Sequence, residues 1–331
     1  MNNFSAQQSN DRVPGTGSPV PGLAFVFPGQ GSQSVGMLAE LAAEFPQVRA
    51  AFDEASEGAG IDLWALSQSG PEAELGKTEH TQPVLLAASI AVWNVWRAQG
   101  GPMPAQVAGH SLGEYSALVC AGALPLRDAA ALVAERGRLM QAAMPAGVGS
   151  MAAVLGADDD VIRNVCKEIS NGEIVTPANY NSPGQLVIAG HAGAVDRALQ
   201  RLGELGVRKV IKLQVSVPSH TQLMREAAQQ LAAKMAELPW RVPAIPVLQN
   251  ADAKAHAGIE FIRAALERQL YMPVLWTDTV QSLVKNGATK IFECGPGKVL
   301  AGLCKRIDKA IDARALGTPA EMQAALAEVR A

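Results

Sequence analysis

Residues 109–113 read Gly109-His110-Ser111-Leu112-Gly113. This G-x-S-x-G run is the pattern of a nucleophile elbow, a tight strand-to-helix turn that lifts a serine oxygen into a pocket. Glycines flank the serine because the turn is crowded and a side chain there would clash. The surroundings fit: Ala105-Gln106-Val107-Ala108 reads as a short buried strand, and Glu114 to Cys120 as the opening turns of a buried helix. Five residues of this kind recur by chance in a chain with 31 glycines, so the strand–turn–helix context carries the reading.

Working outward, Leu23 to Phe27 is a strand stopped by Pro28-Gly29-Gln30-Gly31-Ser32. Helical spacing follows over about Met37–Ser56 and Gln82–Gln99, with Thr81 at the start of the second, and again over Leu126–Met144. Strands alternating with helices predict a mainly parallel sheet covered on both faces. From Gly149 to Val217 the order becomes β-α-β-β-α-β, the ferredoxin-like unit. Two further strands are expected at Ile245–Leu248 and Lys290–Cys294. The expected fold is therefore α/β: a large α/β-hydrolase-like domain with a mainly parallel sheet (22–147 and 217–331) and an inserted ferredoxin-like α+β subdomain (148–216). Residues 1–21, rich in Asn, Ser, Gln, Gly and Pro, read as a disordered leader; without a basic start or an apolar core they are no secretory signal.

Of 331 residues, 48% are hydrophobic and 18% charged, which fits a sizeable core. The formal net charge of −3 offers no footprint for nucleic acid and no polybasic membrane patch. The longest apolar stretch, Pro83–Trp96, is too short to span a bilayer. The four cysteines and five histidines show no zinc-type spacing, so no metal site is expected, and buried reduced thiols are. A cytoplasmic monomer is the expectation.

Ser111 needs a base, and histidine suits the task. His110 adjoins it in sequence, but neighbours on a tight turn point apart. His80, His191 and His256 fall in polar or helix-flanking stretches. His220, in Val217-Pro218-Ser219-His220, follows the last strand of the insert, at a junction where pockets form; a capping or surface histidine is the alternative. An oxyanion hole needs backbone N–H groups. Leu112, after the serine, supplies one, and the loop Pro28–Gln33 is the candidate for the second; without a Lys-Ser/Thr ending that loop is no P-loop. Arg136 lies in an Ala/Leu/Val-rich helix. It suits fork-like binding of a carboxylate, yet its neighbours Glu135 and Arg138 favour an ordinary solvated face.

Together these segments resemble the malonyl-CoA:acyl carrier protein transacylases of bacterial type II fatty acid synthesis. The matching runs are Phe27–Gln33, Thr81-Gln82-Pro83, Gly109–Leu118, Arg136-Gly137, Asn179–Gln185, Val217–His220, Gln269-Leu270-Tyr271 and Gly295–Leu300, in family order from about residue 22 to 306. The resemblance implies that Ser111 carries a malonyl ester and that His220 is general base and acid, oriented by a backbone carbonyl at Gln269. It implies an oxyanion hole from the N–H groups of Gln30 and Leu112, a carboxylate clamp at Arg136, and substrate contacts from Gln30, His110, Asn179 and Asn181. It implies malonyl-CoA and acyl carrier protein as partners and no bound cofactor, coenzyme A being product. Lys298, Lys305, Arg306 and Lys309 form a basic run near one of the motifs, a candidate approach for an acidic carrier.

Three rivals remain. A serine thioesterase of α/β-hydrolase type would place an acid between serine and histidine, and Asp196 falls there. A non-catalytic scaffold would not need the intact serine, histidine and glycine-rich loop. The acyltransferase subunit of malonate decarboxylase shares the fold, but the GHSLGEYSAL run is more similar to the fatty-acid enzymes.

Overall fold

Two sheets organise the chain, seen in a computed structural model that describes residues 18–330 except 146, 214 and 216. The chain opens with β1 (Val20–Phe27), then α1 (Ala39–Glu44), α2 (Pro46–Ala59), α3 (Leu63–Ser69), α4 (Glu72–Leu75) and α5 (Thr78–Ala98). Next come β2 (Pro104–Gly109), α6 (Gly113–Cys120) and α7 (Leu126–Ala142). The smaller unit is β3 (Gly149–Leu155), α8 (Asp159–Ile169), β4 (Val175–Ser182), β5 (Gln185–His191), α9 (Ala192–Glu204) and β6 (Lys209–Lys212). The chain returns through α10 (Arg225–Ala236), β7 (Val247–Gln249), β8 (Lys254–Ala255), α11 (Ile259–Tyr271) and α12 (Trp276–Lys285). It ends with β9 (Lys290–Glu293), α13 (Val299–Ile307), β10 (Asp312–Ala315) and α14 (Pro319–Arg330).

The larger sheet has the order β10-β9-β1-β2-β7-β8, parallel throughout except for the short β7–β8 pair. Leu23 to Phe27 of β1 are all buried, as an unbroken apolar run in a central parallel strand requires. Phe25 packs edge-on against Trp93 and Trp96 of α5, joining sheet to helix. The smaller sheet is antiparallel with the order β4-β5-β3-β6. Together with α8 and α9 this is the ferredoxin-like arrangement.

Several elements differ from expectation: the single helix expected over Met37–Ser56 is divided into α1 and α2 at Pro46, the strand expected at Ile245–Leu248 is Val247–Gln249, and β8 is an added two-residue strand. The leader was drawn to residue 21, but β1 begins at Val20, which pairs with Pro104; residues 1–17 lie outside the described residues. Helix α5 starts at Thr78, a turn before the expected Thr81, and runs through Pro83. Thr78, Thr81 and Gln82 are buried, and their packing offsets the one hydrogen bond that Pro83 cannot donate. Strand β6 was expected to reach Val215 and ends at Lys212. Strand β10 was not expected: Asp312-Ala313-Arg314-Ala315 alternates charge with small residues, the composition of an edge strand facing water on one side.

Candidate active site

The elbow is built by close backbone approach. A Cβ at Gly109 would lie 1.9 Å from the Gly113 carbonyl, and one at Gly113 would lie 2.0 Å from Phe27 O. Neither position accepts a side chain, so the strand passes directly into α6. Ser111 takes φ 52°, left-handed and strained for a non-glycine residue. That strain is held by hydrogen bonds. Asn250 Oδ1 accepts from Ser111 N–H (2.7 Å) and Asn250 Nδ2 donates to Gly109 O (2.6 Å). Gln269 Nε2 donates to Ser111 O (2.9 Å).

His220 also has a positive φ, 62°, and is 3% exposed. Its Nε2 lies 2.8 Å from Ser111 Oγ. Its Nδ1 lies 2.7 Å from Gln269 O, and its backbone N–H donates to Leu270 O (3.0 Å). Both carbonyls belong to the last turn of α11, where a helix leaves its C=O groups without partners of its own. A carbonyl only accepts, so Nδ1 carries the proton and Nε2 presents a lone pair to the serine. Burial, with Arg136 nearby, depresses the imidazole pKa to about 3, so the ring is neutral at neutral pH.

The other four histidines have structural partners. His80 and His256 lie against Glu74 and Asp252, and His191 Nδ1 accepts the Ile174 N–H. His110 makes no hydrogen bond to Ser111 among the described residues; its Nε2 lies 2.8 Å from Asn181 Oδ1 and its ring 5.4 Å from that of Trp276. Asp196, the acid a hydrolase triad would need, is an exposed partner of Lys212 (2.7 Å) on the smaller unit.

Arg136 is 1% exposed, which corrects the solvated-face reading; Glu135 and Arg138 pair with each other toward solvent. A Cβ at Gly137 would lie 2.6 Å from Thr78 O and Glu79 Cα, so α7 meets α5 backbone to backbone beside the arginine. Nη1 donates to Gln82 Oε1 (2.7 Å) and Nη2 to Gln269 Oε1 (2.9 Å), while Nη2 stands 3.4 Å from Ser111 Oγ. The guanidinium lies over the Tyr115 ring at 5.4 Å. Nη1 has a second N–H beyond its bond to Gln82, while Nη2 divides its two between Gln269 and Ser111 Oγ.

These groups face a cavity of about 110 Å³ lined by Gln30, His110, Ser111, Leu112, Arg136, Asn179 and His220, with Met140, Met151, Leu213, Val215 and Val217 as apolar wall. Among the described residues the N–H groups of Gln30 and Leu112 have no acceptor. Asn179 lines the cavity with a buried, unpartnered Oδ1. Asn181 does not line it; it holds His110. Sequence reasoning missed Gln82, Glu114, Gln249 and Asn250, which orient the site from behind. Gln82 and Glu114 lay inside quoted motifs, but their amide and carboxyl partners come from remote parts of the chain. Among the described residues no cluster of three metal-ligating side chains occurs, and no helix is long and apolar enough to cross a membrane.

A family profile described as acyl transferase domain matches residues 24–316. The malonyl CoA-acyl carrier protein transacylase of Salmonella typhimurium is 53% identical over 306 residues, 92% of this chain and 99% of that protein. Its counterpart from Bacillus subtilis is 40% identical over 305 residues, 92% and 96% of the two chains. The crystal structure of malonyl-CoA:acyl carrier protein transacylase from Xanthomonas oryzae superposes with a TM-score of 0.93 at 63% identity, over 94% of this chain and 99% of that one. A malonyl-transacylase solved with its type II polyketide synthase acyl-carrier protein gives 0.91 at 51%, over 92% and 99%. The elbow serine, the paired histidine and the buried arginine thus sit in a chain that belongs to the malonyl-CoA:acyl carrier protein transacylase family of acyl transferases.

Proposed function

We propose that this enzyme moves a malonyl group from malonyl-CoA to the phosphopantetheine thiol of acyl carrier protein through a malonyl ester on Ser111. The observation that carries the reading is the buried Arg136 fork beside a serine–histidine pair 2.8 Å apart. Ser111 Oγ attacks the thioester carbonyl while His220 Nε2 takes its proton. The oxyanion is held by the N–H groups of Leu112 and Gln30, at the N-terminal end of α6. The C–S bond then breaks and the leaving sulfur takes the proton from the imidazolium. The carrier's thiol repeats the sequence in reverse: its proton passes to His220, its sulfur attacks the ester, and Ser111 recovers its proton. The steps balance without a metal or redox group.

Arg136 binds the free malonyl carboxylate, which would otherwise enter the cavity as an unpaired ion. Asn179 and His110 face the rest of the acyl group, and Asn181 fixes His110. The apolar wall limits water, so the ester lasts until the thiol arrives. We place the catalytic groups on residues 22–147 and 217–331; residues 148–216 supply Met151, Asn179, Leu213 and Val215 as the facing wall. Exposed Lys298, Lys305, Arg306 and Lys309 offer a basic approach for the acidic carrier.

The test is mass spectrometry of the protein incubated with malonyl-CoA, then with holo-carrier. One malonyl group on the Ser111 peptide, discharged as malonyl-carrier and absent in Ser111→Ala, is expected. Release of free malonate in place of malonyl-carrier would assign a hydrolase.

A further inference from the structure

Glu114 is fully buried one turn beyond the nucleophile and takes no part in the steps above. Its Oε1 accepts from Gln249 Nε2 (3.0 Å); its Oε2 accepts from Asn250 N–H (2.8 Å) and Gln269 Nε2 (2.9 Å). Every partner is a donor. A protonated acid would need an acceptor for its O–H, and these partners offer none, so the group is a carboxylate. Burial opposes that charge; the three donors and the field of Arg136 support it. In turn burial lowers the Arg136 pKa, and Tyr115 and Glu114 oppose that shift.

The link between the two charges is one amide. Gln269 turns its NH₂ toward Glu114 Oε2 and Ser111 O, both acceptors, and therefore turns its oxygen toward Arg136 Nη2. An amide has no preferred sense by itself. The carboxylate and the Ser111 carbonyl supply the sense together, because each accepts and cannot donate. Reversed, Gln269 would set NH₂ against guanidinium N–H, and Arg136 would lose one of the two contacts that aim it.

We propose that Glu114 is a positioning residue for acyl-group selection: through the fixed polarity of Gln269 it holds Arg136 in the pose that receives a carboxylate. The inference rests on the reading of Arg136 as the malonyl clamp. It goes beyond that reading in assigning part of the selectivity to a residue that touches no substrate.

The experiment compares acyl-serine formation from malonyl-CoA and from acetyl-CoA in one preparation each of wild type, E114Q, Q269M and R136A. A ratio measured within one preparation does not depend on how much of the protein is folded. Glu114→Gln keeps the shape and removes the acceptor-only character. Its malonyl-to-acetyl ratio is expected to fall at least about tenfold, the scale of one hydrogen bond to a charged group. Gln269→Met cuts the link with Glu114 intact and is expected to lower the ratio likewise. An E114Q ratio within about threefold of wild type overturns the proposal, whether both rates fall together or neither does. If E114Q gives no folded protein, Q269M decides by the same criterion. Arg136→Ala separates the two readings: an unchanged ratio there removes the clamp itself, whereas a collapsed ratio there with an unchanged one in E114Q removes only the role of Glu114.

Discussion

The interior behind the elbow and the interior of the smaller unit are built on opposite terms. Around Ser111, Glu114, Arg136, His220, Gln249, Asn250 and Gln269 are all 3% exposed or less and join, through side chains and backbone, in one hydrogen-bonded network. Between the smaller sheet and helices α8 and α9 the core is apolar throughout, with Val154, Ile162, Leu186, Ile188, Val195 and Leu202. Its charges sit outside, as Arg197–Glu173, Arg201–Glu168 and Lys212–Asp196. Buried polar groups are costly unless every partner is in place. The large unit bears that cost where chemistry needs fixed directions. Apart from Asn179 at the cavity and Asn181 on His110, the smaller unit needs only to stay folded and present a wall.

If that division holds, substitutions near the elbow should change rates, and substitutions in the smaller unit should change stability. The largest effect belongs to His220→Ala, expected to lower malonyl transfer by roughly 10²–10⁴-fold, the usual worth of a positioned acid–base group. Steady-state assay with unchanged circular dichroism checks it; near-normal turnover would move the base elsewhere. Ile188→Ala is expected to cost about 2–5 kcal/mol of stability, the usual result of truncating a fully buried aliphatic chain. Denaturant unfolding measures that loss, and the malonyl-to-acetyl ratio at low denaturant should stay at the wild-type value. A changed ratio would show that the two interiors are coupled.

The pH response sharpens the contrast further. A free imidazole with a pKa of about 6.5 would lose roughly tenfold of its basic form at pH 5.5. With the His220 value depressed to about 3, kcat/KM for acylation is expected to change less than about twofold between pH 7.5 and 5.5. An acid limb near pH 6.5 would contradict it. For stability the sign is fixed by the same shift: below about pH 6.5 the unfolded chain takes up a proton that the folded ring refuses, so His220 lowers stability progressively toward pH 3. The smallest effect is Arg197→Ala, whose exposed pair with Glu173 at 2.8 Å should contribute about 0.2–1 kcal/mol, less at high salt. Thermal melting at two salt concentrations measures it, and a larger loss would place charge among the forces holding the smaller unit.

Sequence by itself determined what is local or periodic. The Gly109–Gly113 run encodes the elbow because crowding acts within five neighbouring residues. Apolar runs gave β1 and β9, and the alternation of elements gave the ferredoxin-like unit, since burial periodicity is written residue by residue. Strand β10 stayed hidden because an edge strand with charges on one side lacks that periodicity. Tertiary structure alone decided which polar residues share the interior. Arg136 reads as part of a solvated helix until α5 closes over it at Gly137. Glu114 meets Gln249, Asn250 and Gln269 across 135 residues or more of chain. The helix-end carbonyl that fixes the His220 tautomer lies 49 residues away. A hydrogen bond depends on distance and direction between two groups, and for groups that far apart in the chain only the folded packing supplies both.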